Sequence, residues 1–383
     1  MQTANRQRDP RLDFFRGIAM FIIFIAHLPA NSWALWIPAR FGFSDATEIF
    51  VFCSGMASAI AFGRVFELHG LAMGSARVIY RVWQVYWAHI CLFLGVAGML
   101  AFLQINGLTS EDYVGKLNLW PFFEDPVFQL PGLLTLTYVP NYFDILPMYL
   151  VILAMLPLVM IAYYTAGRGA VLALVVGFWL IATFRFVDFP AEPWSDRRWF
   201  FNPFAWQLLF FTGFAFIKGW IPRPPVKKRL LFLSAAIIIL TIPFAYFRIL
   251  NTVPELRQVA WEIRDLTVKS EMGILRYIHF LALAYVAWAA VGEGGHRLLL
   301  QGFGGKVVRV IKKVGQQSLA VFLASLILAQ GIAVFRDELG LKGTLSGGVM
   351  ANLLGFAGLI AVAYAVAWFK GQPWKKAREP RAS

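Results

Sequence analysis

The first apolar stretch of the sequence carries Arg11-Leu-Asp13-Phe-Phe-Arg16-Gly17 and, eleven residues beyond Arg16, His27. Asp13 and Arg16 are three apart, so on a helix they share a face and can pair. At 1.5 Å per residue His27 stands about 16 Å further along the axis, which is near mid-membrane if the stretch crosses a bilayer. Histidine accepts a proton near neutral pH, so this position suits a general base. A neutral packing histidine with one interhelical hydrogen bond fits the same residues equally well.

Further groups lie at the edges of other apolar stretches. Ser44-Asp45-Ala-Thr-Glu48 opens the second with the spacing of a capping box, which satisfies the free amides of a helix start; the functional alternative is a carboxylate that orients His27. Arg77 and Arg81 are one turn apart, with Arg64 upstream. They read as snorkelling cations or as a phosphate-facing pair. His89 reads as a hydrogen-bonded core residue or as a site residue, and the core reading is preferred. Asn141 and Asp144, in Pro140-Asn-Tyr-Phe-Asp144, and Asn202, Trp206 and Gln207, in Asn202-Pro-Phe-Ala-Trp206-Gln207, suit a sugar, which needs directed hydrogen bonds and flat rings. Capping and interfacial aromatic belts explain the same residues.

The elements that must hold these groups follow from composition. The 383 residues are 59% hydrophobic and 15% charged, against roughly 45–50% and 25% in a soluble domain. Windows of about 20 apolar residues, the length that spans a bilayer, fall at 14–36, 47–66, 82–104, 145–163, 169–186, 204–221, 229–249, 273–292, 316–336 and 346–369. The expected fold class is therefore all-α, a polytopic transmembrane bundle of about ten helices. It forms a single integral-membrane domain over 1–383, with 1–13 and 370–383 as cytoplasmic tails. Arg6, Arg8 and Arg11 before an apolar run, with Ala30-x-Ser32 after it, also resemble a secretory leader; Asp13 and Arg16 inside its leading edge favour a retained first span.

Alternating the ten spans from a cytoplasmic N-terminus assigns 22 Lys and Arg to the inner side and 12 to the outer, with Arg16 set apart. That asymmetry fits the positive-inside rule. The net charge of +14 is then topological and calls for no nucleic acid. A basic inner face suits anionic lipid or an anionic donor. Cys53 and Cys91 both fall within spans, where neither a disulfide framework nor a CxxC site can be built. No phosphate loop, HExxH or GxSxG occurs, and no metal site is expected.

Taken together, Arg11-Leu-Asp13-Phe-Phe-Arg16-Gly17-Ile-Ala with His27, Asp45-Ala-Thr-Glu48-Ile-Phe-Val-Phe-Cys-Ser54-Gly55, Arg77 and Arg81, Pro140-Asn-Tyr-Phe-Asp144-Ile-Leu-Pro147, Phe201-Asn202-Pro-Phe-Ala-Trp206-Gln207 and Gly315-Gln-Gln-Ser318-Leu319 resemble the OpgC family, membrane succinyltransferases of osmoregulated periplasmic glucans within the acyltransferase-3-like superfamily. The resemblance covers most of the chain; Gly315-Gln-Gln-Ser318 is its weaker piece. It implies a multi-pass protein of the bacterial inner membrane that takes a succinyl group from cytoplasmic succinyl-CoA and places it on a periplasmic β-glucan. His27 aligns with the family's proposed base, and Asp13, Arg16 and Arg77 with positions tied to the donor or the site's architecture.

The mechanism expected from both lines makes His27 the base, with Glu48 or Asp45 orienting it. Arg16, Arg77 and Arg81 hold donor phosphates or the succinyl carboxylate, and Asn141, Asp144, Asn202, Trp206 and Gln207 hold the glucan. Direct transfer and a covalent acyl-histidine both fit. The rival reading is a transporter or exporter of an anionic small molecule or glycan, and acetyl is the rival acyl group. The expected partners are the acyl-CoA donor, the glucan and the lipid bilayer; the sequence is also compatible with a homo-oligomer.

Overall fold

The computed structural model describes residues 9–376. Arg6 and Arg8, and the expected C-terminal tail from residue 377, lie outside the described residues. The described chain is helical and contains no strand, only one isolated bridge between Pro190 and Arg198. Six helical stretches are long and apolar enough to cross a membrane.

The first helix, α1 (Pro10–His27), begins where proline at the first position and Asp9 as N-cap favour a start. It ends at His27, nine residues short of the expected window, because Pro29 cannot continue the backbone ladder. A one-turn 3₁₀ segment, Ser32–Leu35, follows.

Next, α2 (Ala46–Ser58) passes through a π turn (Ala59–Gly63) into α3 (Arg64–Ile105), so that two expected spans form one continuous stretch. Gly70, at φ +77°, breaks it. Similarly, α4 (Ile145–Thr183) joins the fourth and fifth windows, and Gly167 at φ +73° marks their division. Only glycine adopts such a conformation at no steric cost, so each pair of spans is joined without a polar loop.

Then come α5 (Pro203–Lys218), α6 (Lys228–Ala245), α7 (Ile274–Val291), α8 (Gly302–Gln316), α9 (Ser318–Glu338) and α10 (Leu345–Lys370). Apolar α6 has no buried residue along its length, the signature of a helix whose solvent is lipid. α8 lies almost wholly between the expected windows 273–292 and 316–336, where no helix is expected. It is amphipathic, with Val308, Ile311 and Val314 on one side and Lys306, Arg309 and Lys312 on the other, and that row of cations unfits it to span.

The described residues divide into two compact units, and the division falls within α7. One unit comprises the residues up to Ile37 and those from Ala284 onward. At its centre α1 buries Ala19, Met20, Ile23 and Phe24, and Gly355 of α10 leaves room for the Phe24 ring. The other unit is Pro38–Leu283. There α2 and α5 meet with their backbones in contact: a Cβ on Gly55 would collide with the Phe210 carbonyl, and one on Gly213 with the Phe52 carbonyl. Phe93, Phe143 and Tyr138 pack together in its core.

Candidate functional site

In the first unit, the polar residues of α1 are gripped by the junction between α8 and α9. Asp13 is buried and accepts a hydrogen bond from Gln316 Nε2 at 3.2 Å. Arg16 donates to the Ser318 hydroxyl, and Gln317 accepts from Lys370 of α10 at 2.7 Å. Thus Gly315-Gln-Gln-Ser318, the weakest of the resembling pieces, supplies partners to both members of the Asp13/Arg16 pair. The close approach needs glycine, since a Cβ on Gly17 would meet the Ile311 carbonyl and one on Gly315 the Asp13 carbonyl. Nearby, the Arg11 guanidinium lies 3.4 Å from the Trp288 ring centroid and pairs with Asp9 at 2.6 Å.

His27 is half-buried at the last position of α1. Its ring stands edge-on to Phe322 of α9, with centroids 6.3 Å apart, and Phe322 is one helical turn beyond Ser318. α9 therefore touches α1 at both Arg16 and His27. His27 thus closes α1, where the expected window 14–36 carries the helix nine residues further.

In the second unit, the capping box expected at Asp45 and Glu48 is formed. Both carboxylates also have cationic partners: Asp45 pairs with Lys269 at 2.5 Å and fully buried Glu48 with Arg276 at 2.8 Å. Burial alone would raise the Asp45 carboxyl, but the Lys269 ammonium, the interaction with Glu48 and the Thr47 amide hold it well below the usual carboxylate range. The two acids offered as orienting groups for His27 are thus engaged in tying the start of α2 to the segment leading into α7. One turn on from Arg276, His279 shares a 2.7 Å hydrogen bond with Ser44, and its ring fills the space over Gly42 that a Cβ would occupy. Lys269, Arg276 and His279 are not among the expected site residues; they lie more than 220 positions from their partners, and no spacing rule reaches them.

The residues expected to hold a sugar have protein partners. Trp206 is fully buried and donates through Nε1 to the Lys269 carbonyl at 2.9 Å. Gln207, also fully buried, donates to the Val175 carbonyl at 2.7 Å. Asn202 caps α5 through Phe204 and donates to the Val187 carbonyl at 2.9 Å. Asp144 accepts from the Phe200 amide at 3.3 Å; burial pushes its carboxyl up to about 6, against the opposing pull of that amide and of Arg197. Only Asn141 is exposed, and it donates to the Lys116 carbonyl at 3.3 Å. Four of the five are therefore closed off by the fold and hold in place the segments that lead into α4 and α5. Buried polar groups are bonded where they stand because leaving them unpaired is costly.

Arg77 is exposed on α3, and Arg81 bonds Gln84 at 3.1 Å; both keep the i, i+4 spacing that puts two guanidinium groups on one face. Arg64 is exposed as well. His89 is fully buried and packs edge-on to Phe143, but neither ring nitrogen has the hydrogen-bond partner expected of it among the described residues. Cys53 and Cys91 are free, and no cluster of metal-ligating side chains occurs among the described residues.

Compared with known families, residues 8–371 match the family model described as OpgC protein. Neither a curated protein nor a solved structure matches the chain.

Proposed function

The chain belongs to the OpgC protein family, and on that premise we propose that it is a membrane O-acyltransferase that moves a succinyl group from succinyl-CoA to hydroxyls of a periplasmic β-glucan. Family membership carries a role in the modification of osmoregulated periplasmic glucans. The apolar helices make it a membrane protein.

In the proposed topology, the kinked stretches Ala46–Ile105 and Ile145–Thr183 each cross twice. With α1, α5, α6, α7, α9 and α10 this gives ten passes in a bacterial inner membrane, both termini on the cytoplasmic side. The excess of Lys and Arg on the proposed inner loops supports it.

The observation that carries the reaction is His27 at the exit of α1, with Arg16 eleven residues before it and both contacted from α9. A nitrogen of neutral His27 takes the proton of a glucan hydroxyl as its oxygen attacks the thioester carbonyl. The C–S bond then breaks, and the departing thiolate takes the proton back from His27. Asp13 and Arg16 fix the inner end of α1. Arg77 and Arg81 offer guanidinium groups to the donor's phosphates. Asp45 and Glu48 serve the helix cap and its ion pairs.

The test uses purified protein with succinyl-CoA, acetyl-CoA and a periplasmic glucan, following CoA release and glucan mass together. A gain matching succinyl that falls ~10²–10⁴-fold in His27→Ala, with the variant still folded, is the expected result. A gain matching acetyl changes the donor and keeps the mechanism. Transfer that survives in His27→Ala removes the base assignment, and labelled substrate crossing a sealed vesicle without CoA release replaces the transferase with a transporter.

A further inference from the structure

The chain leaves α1 through a segment tied by three side chains. Within a helix the Ile25 carbonyl would accept from the amide four residues on, but residue 29 is proline and has none. Asn31 supplies the missing donor, Nδ2 to the Ile25 carbonyl at 3.1 Å. The same side chain forms a reciprocal amide pair with Asn352 of α10, at 3.0 and 2.9 Å. Asn352 is fully buried and donates in turn to the Gly348 carbonyl at 2.7 Å.

The other tie comes from α9. Arg336, only 1% exposed, donates through Nη1 to the Pro29 carbonyl at 2.9 Å and to that of Ala30 at 3.4 Å. Its charge is met by Asp337 at 2.6 Å. Ala30 itself sits at φ +49°, a conformation that an alanine keeps only where its surroundings impose it. A buried arginine is costly unless paired and bonded, and here its donors are directed at two carbonyls of a loop. The bonds to the Ile25, Pro29 and Ala30 carbonyls and to the Asn31 side chain converge on residues 25–31, and His27 lies within that stretch.

We propose that Arg336 and the Asn31–Asn352 pair are positioning residues that fix the imidazole of His27. Arg336 seats the chain directly after His27, and the amide pair fixes the last turn of α1 before it. The consequence for catalysis rests on His27 being the base. An imidazole in that role works only if held close to its productive geometry, and a displacement of about 1 Å costs on the order of 10²-fold in rate.

The experiment follows the histidine side chains by NMR in the full-length protein, carrying isotope-labelled histidine, in nanodiscs. The sequence has five histidines, and the His27 signal is the one lost in His27→Gln. In Arg336→Gln and Asn352→Ala the His27 signal and its titration midpoint move, while those of His89 and His279 stay. In the same variants kcat falls by ~10²-fold with little change in KM, and the pH–rate profile is displaced. Arg336→Lys retains a donor for the Pro29 carbonyl and recovers part of both readouts, which also covers the case in which Arg336→Gln does not fold. An unmoved His27 signal in folded Arg336→Gln and Asn352→Ala overturns the proposal. A moved signal, in a protein whose His27→Gln form remains fully active, leaves the seat in place and removes the base.

Discussion

Gly315 and Asp13 meet backbone to backbone: the first residue has no side chain, and a Cβ there would run into the carbonyl oxygen of the second. With the matching contact of Gly17 on Ile311, this sets how closely α8 approaches α1 and therefore whether Gln316 and Ser318 can reach Asp13 and Arg16. Gly315→Val should push the helices apart and cost about 1–3 kcal/mol, the usual range for overpacking. The expected outcome is a lower melting temperature in detergent together with reduced transfer. An unchanged melting temperature would show that the helices do not depend on this approach.

Arg16 and Ser318 form the second contact of that junction. Ser318→Ala removes the hydroxyl and leaves the guanidinium in place. Because a hydrogen bond to a charged group contributes about 1.5–3 kcal/mol to stability, a lower melting temperature is expected, together with reduced transfer. Arg16→Ala should lose at least as much. The double variant should be no worse than Arg16→Ala alone, since both substitutions break one bond; additive losses would show that the two residues act separately.

The Glu48–Arg276 ion pair predicts a difference between one substitution and two. Glu48→Gln leaves Arg276, whose side chain is only 14% exposed, without its carboxylate. Breaking a buried pair from one side costs about 3–5 kcal/mol. Replacing both, Glu48→Gln with Arg276→Gln, should recover part of that loss, because no uncompensated charge remains. Thermal unfolding of the four forms measures the coupling, and a double variant less stable than Glu48→Gln would contradict it.

Asp144 gives a pH dependence of definite sign. Burial raises its carboxyl to about 6 in the folded protein from an ordinary 3.8, so the folded state holds this proton where the unfolded chain has released it. Its contribution is most favourable below about pH 4 and is lost as pH rises to about 6. Asp144→Asn keeps an oxygen for the Phe200 amide and cannot ionise. The variant should therefore lose this part of the slope in melting temperature between about pH 4 and 6, and should be at least as stable as the parent at pH 7. An identical slope in both proteins would rule out Asp144 as the titrating group.

Much of the molecule was legible in the residues. The starts of α2 and α5 were readable because Asp45 with Glu48, and Asn202 with Pro203, satisfy amides within a few positions of themselves. The spans of α6, α7, α9 and α10 were readable from their length and apolar character. Helix α8 was missed because its apolar residues recur on one side only and its cations resemble a loop that marks the inner face. The five sugar candidates were chosen by chemical type, and type does not reveal burial: Trp206 and Gln207 proved to be fully enclosed.

The sequence by itself determined that the chain is helical and belongs in a membrane, where its helices begin and end in most cases, and that Arg16 and His27 share the first of them. Those properties depend on neighbours within a few turns and on the transfer of apolar residues out of water, both of which can be read along the chain. Only the tertiary structure decided which groups meet: Ser318 with Arg16, Arg276 with Glu48, and Arg336 and Asn352 around the exit of α1. Each of those partners lies more than 200 positions away in sequence, and only packing brings it to a group whose burial requires one.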